Sequence, residues 1–234
     1  MNADDFGYSR GVNQGIAESY ERGIVTSASL MVTQRAAAEA AAYARDHPKL
    51  DLGLHVHLQH WRVRGVPWSV LRSERQLQNI VARDVALQLD RFRQLVGRDP
   101  THVDSHQHRH RTEYLQSIFL ALARELDVPL RDFDPRVRFC GDFYGQIGAG
   151  QPNPNAITPL ALVEVLERLP PGVTELGSHP GYTDGLRDWY REERVQEVRT
   201  LCDPGVRAAI ERLGIALISF RDLPSIPDGD TGPR

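Results

Sequence analysis

Met1-Asn2-Ala3-Asp4-Asp5-Phe6-Gly7 decides the reading of this chain. Two adjacent carboxylates stand a few residues from Met1, followed by a glycine and then a helical pattern. Ser9 is placed to cap that helix, and Val12, Ile16 and Tyr20 recur every four residues on one apolar stripe. A short strand that ends in acids and hands over to a helix is one β/α unit. The rest of the chain repeats the pattern.

Strands are expected over residues 24–32, 52–58, 101–104, 128–131, 173–178 and 215–220, where short apolar or β-branched runs lie between turn signals. Helices are expected over 34–45, from a Ser73/Gln76 capping box to Gly97, from Thr112 to Leu126, over 158–169 and 189–200, and from Asp203 to Gly214. Residues 61–72 read as a loop. Residues 132–155, rich in Gly, Pro and Asn, read as a lid or binding loop.

Strand and helix alternate about seven times, which calls for a parallel sheet with helical crossovers. An open doubly wound sheet and a closed barrel both satisfy that alternation. The polar residues favour the barrel. Asp4-Asp5, His55, His57, Asp104, His106 and His179 all fall at strand carboxyl ends, and only a barrel brings every such end to one face. The expected fold is therefore an irregular TIM-like (β/α) barrel of seven strands. Its first strand is expected to be truncated, because the chain starts so close to the acids. The expected layout is one domain over residues 1–223 and a disordered Pro/Gly/Asp-rich tail over 224–234.

Bulk properties narrow the function. With 234 residues, 41% of them hydrophobic, the chain can bury one sizeable core. A formal net charge of -3 and a pI near 6.3 give no reason to expect nucleic acid or an anionic membrane as partner. Cys140 and Cys202 have no metal-type spacing, so reduced thiols are the default. The polar start is unlike a signal peptide, and no apolar run is long enough to span a bilayer. A soluble, cytoplasmic protein is expected; a homodimer is left open.

A carboxylate with two imidazoles is a common hydrolytic metal set. His55 and His57 are two apart, so on a strand they face the same side. His106, His108 and His110 also alternate but follow a strand end. Either cluster alone reads more readily as a hydrogen-bonded pair; both together with Asp4-Asp5 favour a metal. One aspartate would ligate the ion and the other take a proton from water. Ser178-His179-Pro180-Gly181 reads equally as a plain turn or as the carrier of a general acid, His179.

Together, Asn2-Ala3-Asp4-Asp5-Phe6-Gly7, Gly53-Leu54-His55, Thr101-His102-Val103-Asp104-Ser105-His106-Gln107-His108 and Ser178-His179-Pro180 resemble the YdjC-like carbohydrate deacetylases. The resemblance covers nearly the whole chain in order. It implies a distorted TIM-like barrel that removes the N-acetyl group from a sugar. It implies Asp5, His55 and His106 as metal ligands, Asp4 as base and His179 as acid. Magnesium is the ion implied by the resemblance, whereas two imidazole ligands suit zinc or another transition metal. Asp104 is a candidate for orienting a ligand histidine, and His108 for the same task or for lining the site. Arg131, Phe143 and Tyr144 are candidates for gripping the sugar.

His57 and Arg109 depart from the residues usual in the family. Two other readings compete: a non-catalytic glycan- or metal-binding protein on the same barrel, and a metal-dependent hydrolase of another bond such as a phosphoester. A binder needs neither Asp4 nor His179, and no clear phosphate-holding set is present.

Overall fold

Strand β1 (Asn2–Phe6) lies in the middle of the main sheet. The computed structural model describes residues 1–58, 74–148, 150–186 and 189–225. In it β1 pairs in parallel with β2 (Ser27–Leu30) on one side and β8 (Val173–Ser178) on the other. All five of its residues are buried. It is short, as expected: against β8 it pairs only at Asn2–Gly177 and Ala3–Ser178, and β8 begins four residues earlier at Val173.

Outward from β2 the sheet continues through β3 (Asp51–Val56) to β4 (Val103–Ser105), and beyond β8 it ends at β5 (Val137–Cys140). These six parallel strands curl into a half-barrel, rather than the seven expected. The strand expected at 128–131 is reduced to one bridge, Val103 to Leu130. The one expected at 215–220 does not form. Phe220–Ser225 is a 3₁₀ helix, and the Phe220 ring stacks on His102 with centroids 3.8 Å apart. Residues 132–155 supply β5 and a small hairpin, β6 (Gln146–Ile147) and β7 (Gln151–Pro152), where a loop was expected.

The helices follow their capping chemistry. Helix α1 (Arg10–Glu21) starts at Ser9, whose hydroxyl accepts from the Val12 N–H. After it come α2 (Ala37–Asp46) and α3 (Glu74–Val96), which stops at Gly97 in the left-handed region at φ 81°. Thr112 precedes α4 (Glu113–Leu126) but makes no side-chain cap bond. Helices α5 (Pro159–Glu167) and α7 (Pro204–Arg212) are capped by Thr158 and Asp203, and α6 (Glu192–Leu201) lies between them. The Ser73 cap, the 61–72 loop and residues 226–234 of the expected tail lie outside the described residues. Among the described residues no helix is long and apolar enough to cross a membrane.

One close approach fixes the β3–β4 register. His102 lies over Gly53, where an added Cβ would meet the imidazole at 2.3 Å. That ring is held by Ser29 and by Thr101 as well as by Phe220, so it has little room to retreat. Gly53→Ala is expected to cost about 1–3 kcal/mol through overpacking. Denaturant melts check this, and an unchanged midpoint would show that His102 moves freely.

Candidate active site

The β1–β2 register shifts between Ala3 and Phe6, and Asp5 adopts a positive φ of 68°. Consecutive strand side chains normally point to opposite faces. The bulge re-aims Asp5, so that Asp4 and Asp5 both line one cleft. Aspartate is among the few residues that tolerate this conformation. The adjacent pair is thus a backbone device as well as a charge pair.

His55, near the end of β3, is paired in register with Asp104 of β4. Its Nδ1 bonds the Asp104 carboxylate at 2.7 Å, and its Nε2 faces Asp5 at 3.4 Å. His106, the first residue after β4, places Nδ1 at 3.1 Å from the same Asp5 oxygen. The ligand atoms of Asp5, His55 and His106 all lie within 4.8 Å of one another. Asp104 holds His55 from behind, which is how ligand imidazoles are usually oriented.

Charge around this cluster is unbalanced. Arg131 binds Asp4 through two bonds of 2.7 Å and also lies 2.6 Å from both Asp104 and Glu175. Arg194, on α6, bonds the other Asp5 oxygen at 2.6 Å. Asp4, Asp5, Asp104 and Glu175, all buried, are thus shared by two buried guanidiniums. Burial raises the Asp4, Asp5 and Asp104 pKa values, but Arg131 beside Asp4 and Asp104 and Arg194 beside Asp5 outweigh it and hold all three low. Glu175 takes up the shortfall: burial lifts it to about 7 despite Arg131. A site with surplus buried carboxylate and two facing imidazoles fits a divalent cation.

The imidazole of His55 responds to the same field. Burial would lower its pKa, but Asp104 and the neighbouring aspartates raise it to about 10. His55 is therefore protonated at neutral pH, and an ion held at its ring would have to displace that proton. Apparent ion affinity is expected to rise by about tenfold per pH unit from near pH 6.5 towards 10, with close to one proton released per ion at pH 7. Calorimetry in two buffers of different ionisation enthalpy reads this; no buffer dependence would contradict it. In the metal-free protein the sign is opposite. Stability from protonated His55 is fully present below pH 6.5 and is lost as pH rises through 10.

His179 follows β8, with Nε2 3.9 Å from Asp4 Oδ2. Its N–H bonds Glu197, and its carbonyl accepts from Arg194 at 3.2 Å. Desolvation lowers its pKa to about 4 against the pull of Asp4 and Asp5. It is thus neutral at rest.

The other expected site residues are placed as follows. Arg131 is not a sugar grip: it is 4% exposed, and its guanidinium is spent on three carboxylates. Phe143 is buried at the cleft wall, while Tyr144 is 39% exposed there. His108 lines the cleft with a buried Nδ1 that has no protein partner. His108, His110 and Asp132 form a second compact cluster, but Arg111 already bonds Asp132 at 2.7 Å and Ser105 holds His110. His57 is not in the Asp5 cluster; Gln34 bonds its Nδ1 at 2.7 Å, and its ring meets His106 edge-on.

Sequence reasoning missed Arg194, Glu197, Tyr190 and Trp189. All four lie in the stretch read as a plain charged helix. The available signal was that Arg194 and Glu197 share a helical stripe with Val198 and Leu201, an apolar face where unpaired charges do not belong.

A curled parallel half-barrel with carboxylates and imidazoles converging at its strand ends places a candidate metal-binding group on an α/β barrel. The chain belongs to the YdjC-like family, whose model matches residues 1–212. It is 35% identical to a carbohydrate deacetylase of Geobacillus stearothermophilus, covering 95% of this chain and 96% of that one. It is 31% identical to a chitooligosaccharide deacetylase of Serratia marcescens, covering 95% and 98%. Among solved structures, an Enterococcus faecalis protein provisionally named for cellobiose-phosphate cleavage superposes with a TM-score of 0.78 at 27% identity, covering 95% and 97% of the two chains.

Proposed function

We propose that this protein removes the N-acetyl group from an N-acetylated sugar, giving a free amine and acetate. It is a carbohydrate deacetylase, as its full-length relatives are named. The observation that carries the reading is the pairing of two differently held carboxylates: Asp5 between two imidazoles, and Asp4 beside them, facing His179.

Asp5, His55 and His106 are the residues that would hold the ion. When bound, it supplies Lewis-acid polarisation of the acetyl carbonyl and makes water more acidic. Two imidazoles favour zinc or another transition ion over magnesium. The protein's own residues do the rest. Arg131 keeps Asp4 ionised and fixes its plane, leaving it ready to take a proton from water. The water oxygen adds to the acetyl carbon. His179, neutral at rest, receives the proton from Asp4 across the 3.9 Å gap and passes it to the departing nitrogen as the C–N bond breaks. Asp104 bonds Nδ1 of His55 and so keeps Nε2, the nitrogen that would ligate, turned towards Asp5.

A phosphoester substrate is the second reading, prompted by the name of the Enterococcus protein. The guanidiniums argue against it. Arg131 and Arg194 are both committed to carboxylates, and Arg109 donates to Gln107. The test is to incubate the protein with N,N'-diacetylchitobiose and, separately, with a phosphorylated disaccharide. Acetate release without phosphate release is expected; the converse would overturn the proposal.

A further inference from the structure

His179 is oriented from its main chain rather than from its ring. A histidine that moves protons is ordinarily aimed through its second ring nitrogen, by a carboxylate or a carbonyl. Here Nδ1 of His179 is buried, and among the described residues it has no hydrogen-bond partner. Aromatic rings bound the imidazole instead: Tyr144 and Tyr190 meet it with centroids at 5.3 and 5.9 Å. Such packing confines the ring but does not set where its backbone stands.

One turn of α6 fixes that backbone. The His179 N–H donates to Glu197 Oε2, and the His179 carbonyl accepts from Arg194 at 3.2 Å. Past Pro180, the Gly181 N–H donates to the Arg194 carbonyl at 3.2 Å. Arg194 and Glu197 are three apart, so they reach out from one face of the helix. Glu197 is in turn fixed through its other oxygen. Oε1 accepts from the Tyr190 hydroxyl at 2.5 Å, and that hydroxyl accepts from the Gly145 N–H at 2.8 Å. Gly145 stands between Tyr144 and Gln146, which both line the cleft. A carboxylate wholly out of water is costly. Burial pushes the Glu197 pKa up to about 7, against the donors Tyr190 and the His179 N–H and the charge of Arg194. With an apolar residue in its place, the His179 N–H and the Tyr190 hydroxyl would both lose their acceptor.

We infer that Glu197 is a positioning residue for the reaction: by holding the His179 main chain, it sets the reach of His179 Nε2 to Asp4 and to the departing nitrogen. This deepens the deacetylase reading and rests on it, because there His179 is the acid. Glu197 is buried and is not among the residues that line the cleft, so it works through His179 and not on the sugar. The gap it governs is narrow: Nε2 lies 3.9 Å from Asp4 Oδ2. A misplacement of about 1 Å at a reacting group costs about 10²-fold in rate.

A double-mutant cycle on acetate release from N,N'-diacetylchitobiose tests this, with Glu197→Met and Glu197→Gln made in the wild type and in His179→Ala. Methionine removes the acceptor but keeps the volume, which guards the fold. In the wild type, Glu197→Met is expected to lower kcat by about 10–10²-fold with KM little changed. Glu197→Gln, whose amide oxygen still accepts from the His179 N–H, is expected to keep turnover within about threefold of the wild type. In His179→Ala, Glu197→Met is expected to change kcat by less than about twofold, because the group it positions is gone. An equal loss in both backgrounds, or no loss in the wild type, would overturn the inference. The hold on His179 is also read without turnover, by nuclear magnetic resonance of its amide proton. That proton is expected to lie downfield and exchange slowly in the wild type and in Glu197→Gln, and to do neither in Glu197→Met; the same signal in all three would overturn the inference. If the amide behaves as expected but no protein releases acetate from any N-acetylated sugar, the reaction assignment falls and the hold on His179 stands.

Discussion

Asp4→Asn is expected to lower kcat by roughly 10²–10⁴-fold while leaving the ion bound. The substitution removes a negative charge and a proton acceptor but keeps the shape. One oxygen remains for Arg131, which keeps its contacts with Asp104 and Glu175, so the fold should hold. The ion should hold too, because Asp5, His55 and His106 are untouched. The split between activity and ion content is the informative part. Metal analysis alongside kinetics would expose an exchange of the two roles: loss of ion in Asp4→Asn with retention in Asp5→Asn would mean that Asp4 is the ligand.

Arg131→Met should be the most destabilising single change at the site. The guanidinium is buried among Asp4, Asp104 and Glu175; its removal takes the cation from Asp4 and Glu175 and leaves Asp104 to His55 and Ser29. Breaking such a cluster costs roughly 3–5 kcal/mol, a large share of the total stability of an ordinary domain. The pH dependence should also change sign. In the wild type, Asp4 and Asp104 have depressed pKa values. Their stabilisation is present above the unfolded pKa and fades as pH falls through the folded one. In the variant Asp4 should have a raised pKa while Asp104 keeps His55, so the Asp4 contribution to stability should be greatest in acid and decline as pH rises above about 4. Urea melts at pH 5 and pH 8 distinguish the two. A variant as stable as the wild type at pH 8 would mean that Arg131 is dispensable.

These two residues also mark what sequence could and could not reveal. Asp4, Asp5, His55 and His106 were legible because each stands at a strand end, and strand ends of a parallel barrel share one face. Asp104 as partner of His55 was legible for the same reason, one strand over. Arg131 was not. It also stands at the expected end of a strand, but the residues that claim it come from β1, β4 and β8, and no local pattern announces a three-carboxylate debt. Arg194 and Glu197 were hidden in a charged helix, because a buried charge is recognised only by partners far away in the chain: Asp5 for Arg194 and His179 for Glu197.

The fold was read with similar limits. The alternation of strand and helix, and the curl that brings the site together, follow from periodicity. The count of strands does not. Residues 215–220 have a strand's composition, but Phe220 opens a 3₁₀ helix and stacks on His102 instead of extending the sheet, and β5 has only four residues, one of them buried. The first strand looked short from the sequence and is short: it meets β8 only at Asn2 and Ala3, and pairs with β2 on its other side. The bulge at Asp5 left no signal beyond the acidic pair itself.

The central claim is that acetate release needs both the ion at Asp5, His55 and His106 and the base Asp4. Its most direct test is acetate release from N,N'-diacetylchitobiose by the wild-type protein before chelation, after complete ion removal, and after titration with zinc or magnesium. The expected result is turnover that disappears on ion removal and returns with one equivalent of divalent ion. Undiminished turnover by the ion-free protein would contradict the account.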